Sequence, residues 1–339
     1  MKSVNLTGFL GIVYFLAAIQ IVNASPDDGL SKNNGNLYIA GTYYGFDTNF
    51  KAGYWENGTR INLPPDGYWY PSSAYAIAIS NGNVYTAGYH SSVGYTKACY
   101  WINGKVIDLP DDTGYSSAQA IAVADGKVFV AGVYDNYNPR RNDSGKACYW
   151  VDDTKIDLHP VGASRSYAYD ITVSDGRVYV AGHYDNKACY WVDGMKIDLH
   201  PDRSLNSSAH SIVVSDNKVY AAGSYSVIYE GNKACYWVDG EKTDLPGGNN
   251  AVSICVSDGR VYAAGGNSQS RACYWIDGAI KNLHPIGASS SYALGIIVSD
   301  GKAYIAGYHW TNGRKACYWI DGLKTDIPDG YSASAITFE

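Results

Sequence analysis

Asp170 follows Tyr169 in the segment Ala168-Tyr169-Asp170-Ile171, and His210 takes the place of Tyr169 in the matching segment Ala209-His210-Ser211-Ile212. A carboxylate, an imidazole and a phenol close together could hold a ligand or an ion, or move protons at a polysaccharide bond. Hydrolysis of a glycoside needs two carboxylates at a set separation. Glu occurs only as Glu56, Glu230, Glu241 and Glu339, so the second group would have to be Asp. Most Asp fall in turns or at one repeated strand position. Six of the seven cysteines (Cys99, Cys148, Cys189, Cys235, Cys273 and Cys317) recur at one point of a repeat. Equivalent points a whole repeat apart exceed the roughly 4.4–6.8 Å between Cα atoms that a disulfide spans. None has Cys-x-x-Cys spacing, so the set reads as small buried thiols and not as a zinc site. His159, His200 and His284 each precede Pro in equivalent loops and are dispersed around the repeat. No catalytic residue, metal site or cofactor is assigned from these groups.

The elements that must position them come from a repeat. Lys-Ala-Cys-Tyr-Trp, an apolar residue and a Gly turn recur with Trp at positions 55, 101, 150, 191, 237, 275 and 319. Seven copies at a period of this size mean a solenoid or a propeller. One unit decides between them. Ser73–Ile79 reads as a strand (a), Asn81-Gly82 as a hairpin turn, and Val84–Tyr89 as a second strand (b). A loop leads to Lys97–Ile102 (c), and after Asn103-Gly104 comes Lys105–Leu109 (d). Four short antiparallel strands make a propeller blade. The chain enters at strand b (Leu37–Gly41) and leaves after strand a (Ser332–Phe338), so the last strand can complete the first blade and close the ring. The fold class is all-β: a seven-bladed β-propeller over residues 36–339. Residues 1–24 read as a signal peptide, from Lys2, an apolar run over Phe9–Val22 and Val22-Asn23-Ala24 before the cut. Residues 25–35 are a linker.

The layout resembles kelch-type propellers in its order of strand, Asp-Gly turn, Val-Tyr-Val-Ala-Gly, variable loop and aromatic third strand. It is also similar to the bacterial extracellular HAF repeats in its Ser-x-Ala-x-x-Ile strand and apolar-Trp-x-x-Gly segment. Ala131-Gly132 and Ala181-Gly182 stand where kelch repeats carry Gly-Gly. The resemblance implies the fold and transfers no functional residue. Two enzyme signatures are missing: a Gly-x-Ser-x-Gly elbow and the Ser-x-Asp-x-Gly-x-x-Trp box of sialidases. A nucleotide-binding loop is missing as well.

The blade layout puts the uniform a–b and c–d turns on one face and the diverse b–c and d–a loops on the other. The diverse face carries Tyr68, Trp69, Tyr95, Tyr229, His309 and Trp310. The third residue of strand a should rim the channel there: Tyr75, Gln119, Tyr169, His210, Val252, Leu294 and Ser334. Asp170 stands where other blades carry Ala, Ser or Gly, and is expected at a polar central site. The candidate ligand-binding set is therefore Tyr68, Trp69, Tyr75, Tyr95, Tyr169, Asp170, His210, Tyr229, His309 and Trp310. The Lys residues opening strand c read as cross-strand partners of the strand-d Asp, with Lys97 diagonal to Asp108.

A net charge of −6 without a basic cluster excludes nucleic acid as a natural partner. No membrane span is expected after signal cleavage. The expected protein is a secreted or extracellular monomer (periplasmic in a Gram-negative source). It would bind a glycan or a protein through its aromatic loop face, since such rings stack on sugars and anchor protein contacts. A polysaccharide-active hydrolase or lyase at the channel mouth, built on Tyr169, Asp170 and His210, is the alternative. A structural envelope or matrix protein is a third.

Overall fold

The computed structural model describes residues 35–45, 49–64, 70–111, 113–135 and 145–339. Among them are seven separate four-stranded antiparallel sheets, and the chain forms a seven-bladed β-propeller. Blade 1 joins Gly330–Phe338 to Leu37–Tyr44, Phe50–Glu56 and Thr59–Asn62, so the C-terminal strand supplies strand a and closes the ring. Blades 2 to 7 begin with Ser72–Ser80, Ser116–Ala124, Ser166–Ser174, Asn206–Ser215, Asn250–Ser257 and Ser290–Ser299. The expected signal peptide, and the loop residues Tyr68, Trp69, Arg140 and Arg141, lie outside the described residues.

The hairpins follow from residue type. Asp175 and Gly176 take φ of 50° and 70°, as a two-residue turn of right-handed strands requires. The c–d turn residue has a second task. Its side chain accepts the first strand-b amide in all seven blades, from Asn57 with Leu37 N to Asp193 with Val178 N, each at 2.9 Å, and Asp321 with Ala303 N at 2.9 Å. Five acidic side chains (Asp152, Asp193, Asp239, Asp277 and Asp321) are thereby committed to holding hairpins.

The strand-c Trp side chains wedge between blades and are almost wholly buried. Several donate the indole N–H to a prolyl carbonyl of the preceding d–a loop: Trp150 to Pro110 at 2.9 Å, Trp275 to Pro246 at 3.0 Å, and Trp101 to Pro64. Trp55 makes the same bond to Pro328 at 3.3 Å across the ring closure. Removing one such ring would cost about 3–5 kcal/mol. All seven thiols are free and buried, as their placement in the sequence implies. Burial pushes the Cys273 thiol up to about 12, so it is no nucleophile.

The Lys ring needs a correction. Lys97 pairs with Asp108 at 3.2 Å as expected. In three other blades the strand-d Asp takes a Lys of its own strand, two residues back: Lys196 with Asp198 at 2.7 Å, and likewise Lys242 with Asp244 and Lys324 with Asp326. Residues i and i+2 share one face of a strand, and that route is shorter than the cross-strand diagonal.

One irregularity shapes the channel. In every blade the third residue of strand a has no partner in strand b, because a β-bulge falls there. The strand-b residue at this level is always Gly. A Cβ at Gly88 would collide with the Ser73 carbonyl oxygen, and one at Gly182 with that of Tyr167. The repeated Ala-Gly pair is thus the condition for the bulge, and the bulge re-aims the third side chain toward the axis.

Candidate functional site

The channel wall is built from three positions per blade: the first and third residues of the bulged segment, and the strand-b residue after Gly. In blades 4 and 5 these are Tyr167, Tyr169, His183 and His210, which pack against one another. Tyr169 lies 6.1 Å from Tyr167, 5.5 Å from His183 and 5.6 Å from His210, ring to ring. Both imidazoles are held neutral by burial, His183 pushed down to about 3 with help from the neighbouring His210, and His210 to about 4. His210 also bonds through Nδ1 to the Ala251 carbonyl at 3.1 Å.

Across blades 6, 7, 1 and 2 the same positions leave space. The small residues Asn250, Gly266, Ser332, Ser334 and Thr42 set back the wall. A cavity of about 600 Å³ results. Tyr75 and Tyr89 of blade 2 border it on one side, with ring centroids 5.7 Å apart. On the other side Tyr292 stacks on Tyr308 at 4.8 Å, with Trp310 beyond them, 44% exposed. Tyr331 and Phe50 of blade 1 close the rim at 4.7 Å from each other, and Tyr44 packs on both. Arg314 is the one charged side chain in the lining among the described residues. Its guanidinium carbon lies 3.4 Å from the Tyr308 ring centroid and 4.4 Å from that of Tyr331, and Nη2 donates to Ser332 Oγ at 3.0 Å.

Of the described residues expected at a site, Tyr75 and Trp310 line this cavity. Tyr95, the first residue of the strand Tyr95–Ile102, and Tyr229, on a loop, are exposed and away from its lining. His309 is 3% exposed, and its Nε2 bonds to Asp326 at 2.9 Å, outside the lining of this cavity. Asp170 also lies outside the cavity lining. It has no exposed surface, and its carboxylate accepts Ile171 N at 2.7 Å and Ile212 N of the next blade at 2.8 Å. Ser211 and Ser253 make the same reach to Ile254 and Ile296. Asp170 is thus one member of an interblade series, and burial pushes its carboxyl up to about 7. Tyr169 and His210 pack against each other on the other side of the channel.

The loop histidines imitate a catalytic dyad. His159 Nδ1 lies 2.8 Å from Ser166 Oγ, with equivalents at His200–Ser207 and His284–Ser291. Ser166 is fully buried, and its Oγ accepts the Ala147 amide at 2.8 Å. The arrangement pins a loop to strand c and exposes no nucleophile.

Arg314, Phe50 and Tyr331 were not in the expected set. A signal existed: the residue before the strand-c Lys or Arg is Phe50, Thr96, Gly145, Asn186, Asn232, Ser270 or Arg314, and the two that depart from small or polar types both line the cavity.

No family model and no curated protein matches the chain. Solved structures do. The β-propeller domain of the Trilobed protease from Pyrococcus furiosus is similar at 14% identity, covering 88% of this chain and 96% of that one, with a TM-score of 0.50. A puromycin-hydrolysing peptidase of Mycobacterium tuberculosis is similar at 10% identity and TM-score 0.56, covering 88% of this chain and 52% of that one. The acylaminoacyl peptidase of Pyrococcus horikoshii gives 13% and 0.51, covering 87% and 51%. The chain thus spans about half the length of these two peptidases, and the likeness is one of fold.

Proposed function

We propose that this protein is a secreted, non-catalytic recognition module that takes a glycan into the channel-mouth cavity. The kelch- and HAF-like character of its repeats and the leader over residues 1–24 belong to this reading. The observation that carries it is the lining: Tyr75, Tyr89, Tyr292, Tyr308, Trp310 and Tyr331 surround about 600 Å³ of open space. Aromatic faces bind the apolar faces of sugar rings, and the rigid bulged strands hold them in place. No Asp or Glu lines the cavity among the described residues, which favours binding over two-carboxylate hydrolysis.

The test is a glycan array with the chain from Ser25 onward, beside Trp310→Ala. A glycan class retained by the wild type and weakened about tenfold or more by the variant is expected. Equal binding by both would move the site off this cavity. An array on which nothing binds would overturn the glycan reading and turn attention to protein partners.

A further inference from the structure

We infer that the ligand of this cavity is acidic, and that Arg314 receives a sugar carboxylate. The inference rests on the glycan-binding reading above and adds the ligand's charge. Arg314 makes no ion pair among the described residues, whereas Lys97, Lys146 and Lys233 at the start of strand c each make one. Of its five N–H bonds, one is used, from Nη2 to Ser332 Oγ, while Nε is buried without an acceptor. Arg314 is part-exposed, so its remaining N–H donors face the cavity and can take an acceptor there.

The planar guanidinium and its surroundings select the group. Tyr308 covers one side of the guanidinium, Tyr331 stands 4.4 Å from it, and Nη1 makes no hydrogen bond among the described residues, so the Nη1–Nη2 edge is the one left to take a ligand. Two coplanar N–H donors match the two oxygens of a carboxylate, and the match is bidentate and charge-assisted. Trp310 is the cross-strand partner of Arg314, so a stacking surface stands directly beside the charge. A hexuronate presents that pair of features: a ring face for the aromatics and a carboxylate at its rim. The chain as a whole carries a net charge of −6, so the cation marks a local site and not a general field.

The experiment uses oligosaccharides of galacturonate, glucuronate, mannuronate and guluronate. Each is paired with its carboxyl-reduced counterpart and accompanied by a sulfated neutral oligosaccharide. Binding is measured by calorimetry to wild type, Arg314→Gln, Arg314→Lys and Trp310→Ala, each first checked for an unchanged melting temperature. At least one uronate should bind about tenfold or more tighter than its reduced partner. Arg314→Gln should erase that difference while neutral binding survives, and Arg314→Lys should restore it only in part. Trp310→Ala should weaken both partners alike. If acid and reduced forms bind equally and both fail with Trp310→Ala, the cavity reading stands and the carboxylate inference is wrong. A preference for the sulfated sugar, or for an acidic peptide in place of any saccharide, would also overturn it. If no saccharide binds, both readings fall.

Discussion

The two sides of the channel use one backbone to opposite ends. Blades 4 and 5 fill the bulge positions with Tyr169 and His210, which lock together with Tyr167 and His183. Blades 6, 7, 1 and 2 place Val252, Leu294, Ser334 and Tyr75 at the same positions and keep a cavity. Strand geometry, bulge and opposing Gly are the same on both sides. The difference teaches that a bulge supplies only an aimed side chain. Whether the result is a plug or a site depends on how much volume the neighbouring blades add.

The sharpest way to break this comparison is at the shared Gly. Gly182→Ala on the packed side and Gly307→Ala on the open side would each force a Cβ into a carbonyl oxygen. Both should cost about 3 kcal/mol or more by denaturant unfolding. A mild effect at either would mean that the bulge can relax there. Next comes side-chain truncation. Tyr169→Ala should cost about 3–4 kcal/mol, because it opens a void in a packed stack. Trp310→Ala, which removes a ring already 44% exposed, should cost under about 1 kcal/mol and yet be the variant that loses ligand. Reversal of that order would merge the two sides.

A smaller contrast lies in pH. Asp170 keeps its proton to about 7 in the fold but only to about 4 when unfolded, so its contribution to stability falls as pH rises from about 4 to about 7. His183 and His210 work the other way: they stay neutral in the fold down to about 3 and 4, so their contribution is lost as pH falls below about 6.5. Between pH 4 and 6.5 the carboxyl therefore offsets one of the two imidazoles. Asp170→Ser should steepen acid destabilisation by about one proton, or roughly 1.4 kcal/mol per pH unit. Melts in a pH series would measure it, and an unchanged slope would place the Asp170 titration elsewhere. Least of all, Arg314→Gln should change the stability of the free protein by no more than about 0.5 kcal/mol.

The ring was legible because each blade repeats short-range signals: an Asn-Gly or Asp-Gly turn, a strand-c Trp, and an Ala-Gly pair. The complementary ends gave away the closure. The third position of strand a was also legible as the residue facing the axis, since it varies while its neighbours do not. What Tyr169 and Tyr75 do there was not. One is walled in by His183 and His210 and the other opens on a cavity, and that depends on blades far apart in sequence. Asp170 looked exceptional among Ala and Gly, but Ser211 and Ser253 were the better guide, being shorter side chains for the same interblade bond. Arg314 was hidden beside Lys315, where a second cation reads as more of the solvated Lys ring.

The seam at which the chain closes on itself runs through the cavity. Tyr331, Ser332 and Ser334 line it from the strand Gly330–Phe338, which pairs with Leu37–Tyr44. A ribosome that has not yet released those residues has made every other wall of the pocket but cannot have made the pocket. A chain cut back to Asp329 leaves the first blade a strand short and loses the Tyr331 lid over Arg314. Ligand capture would then report that Gly330–Phe338 has docked onto Leu37–Tyr44 and shut the ring.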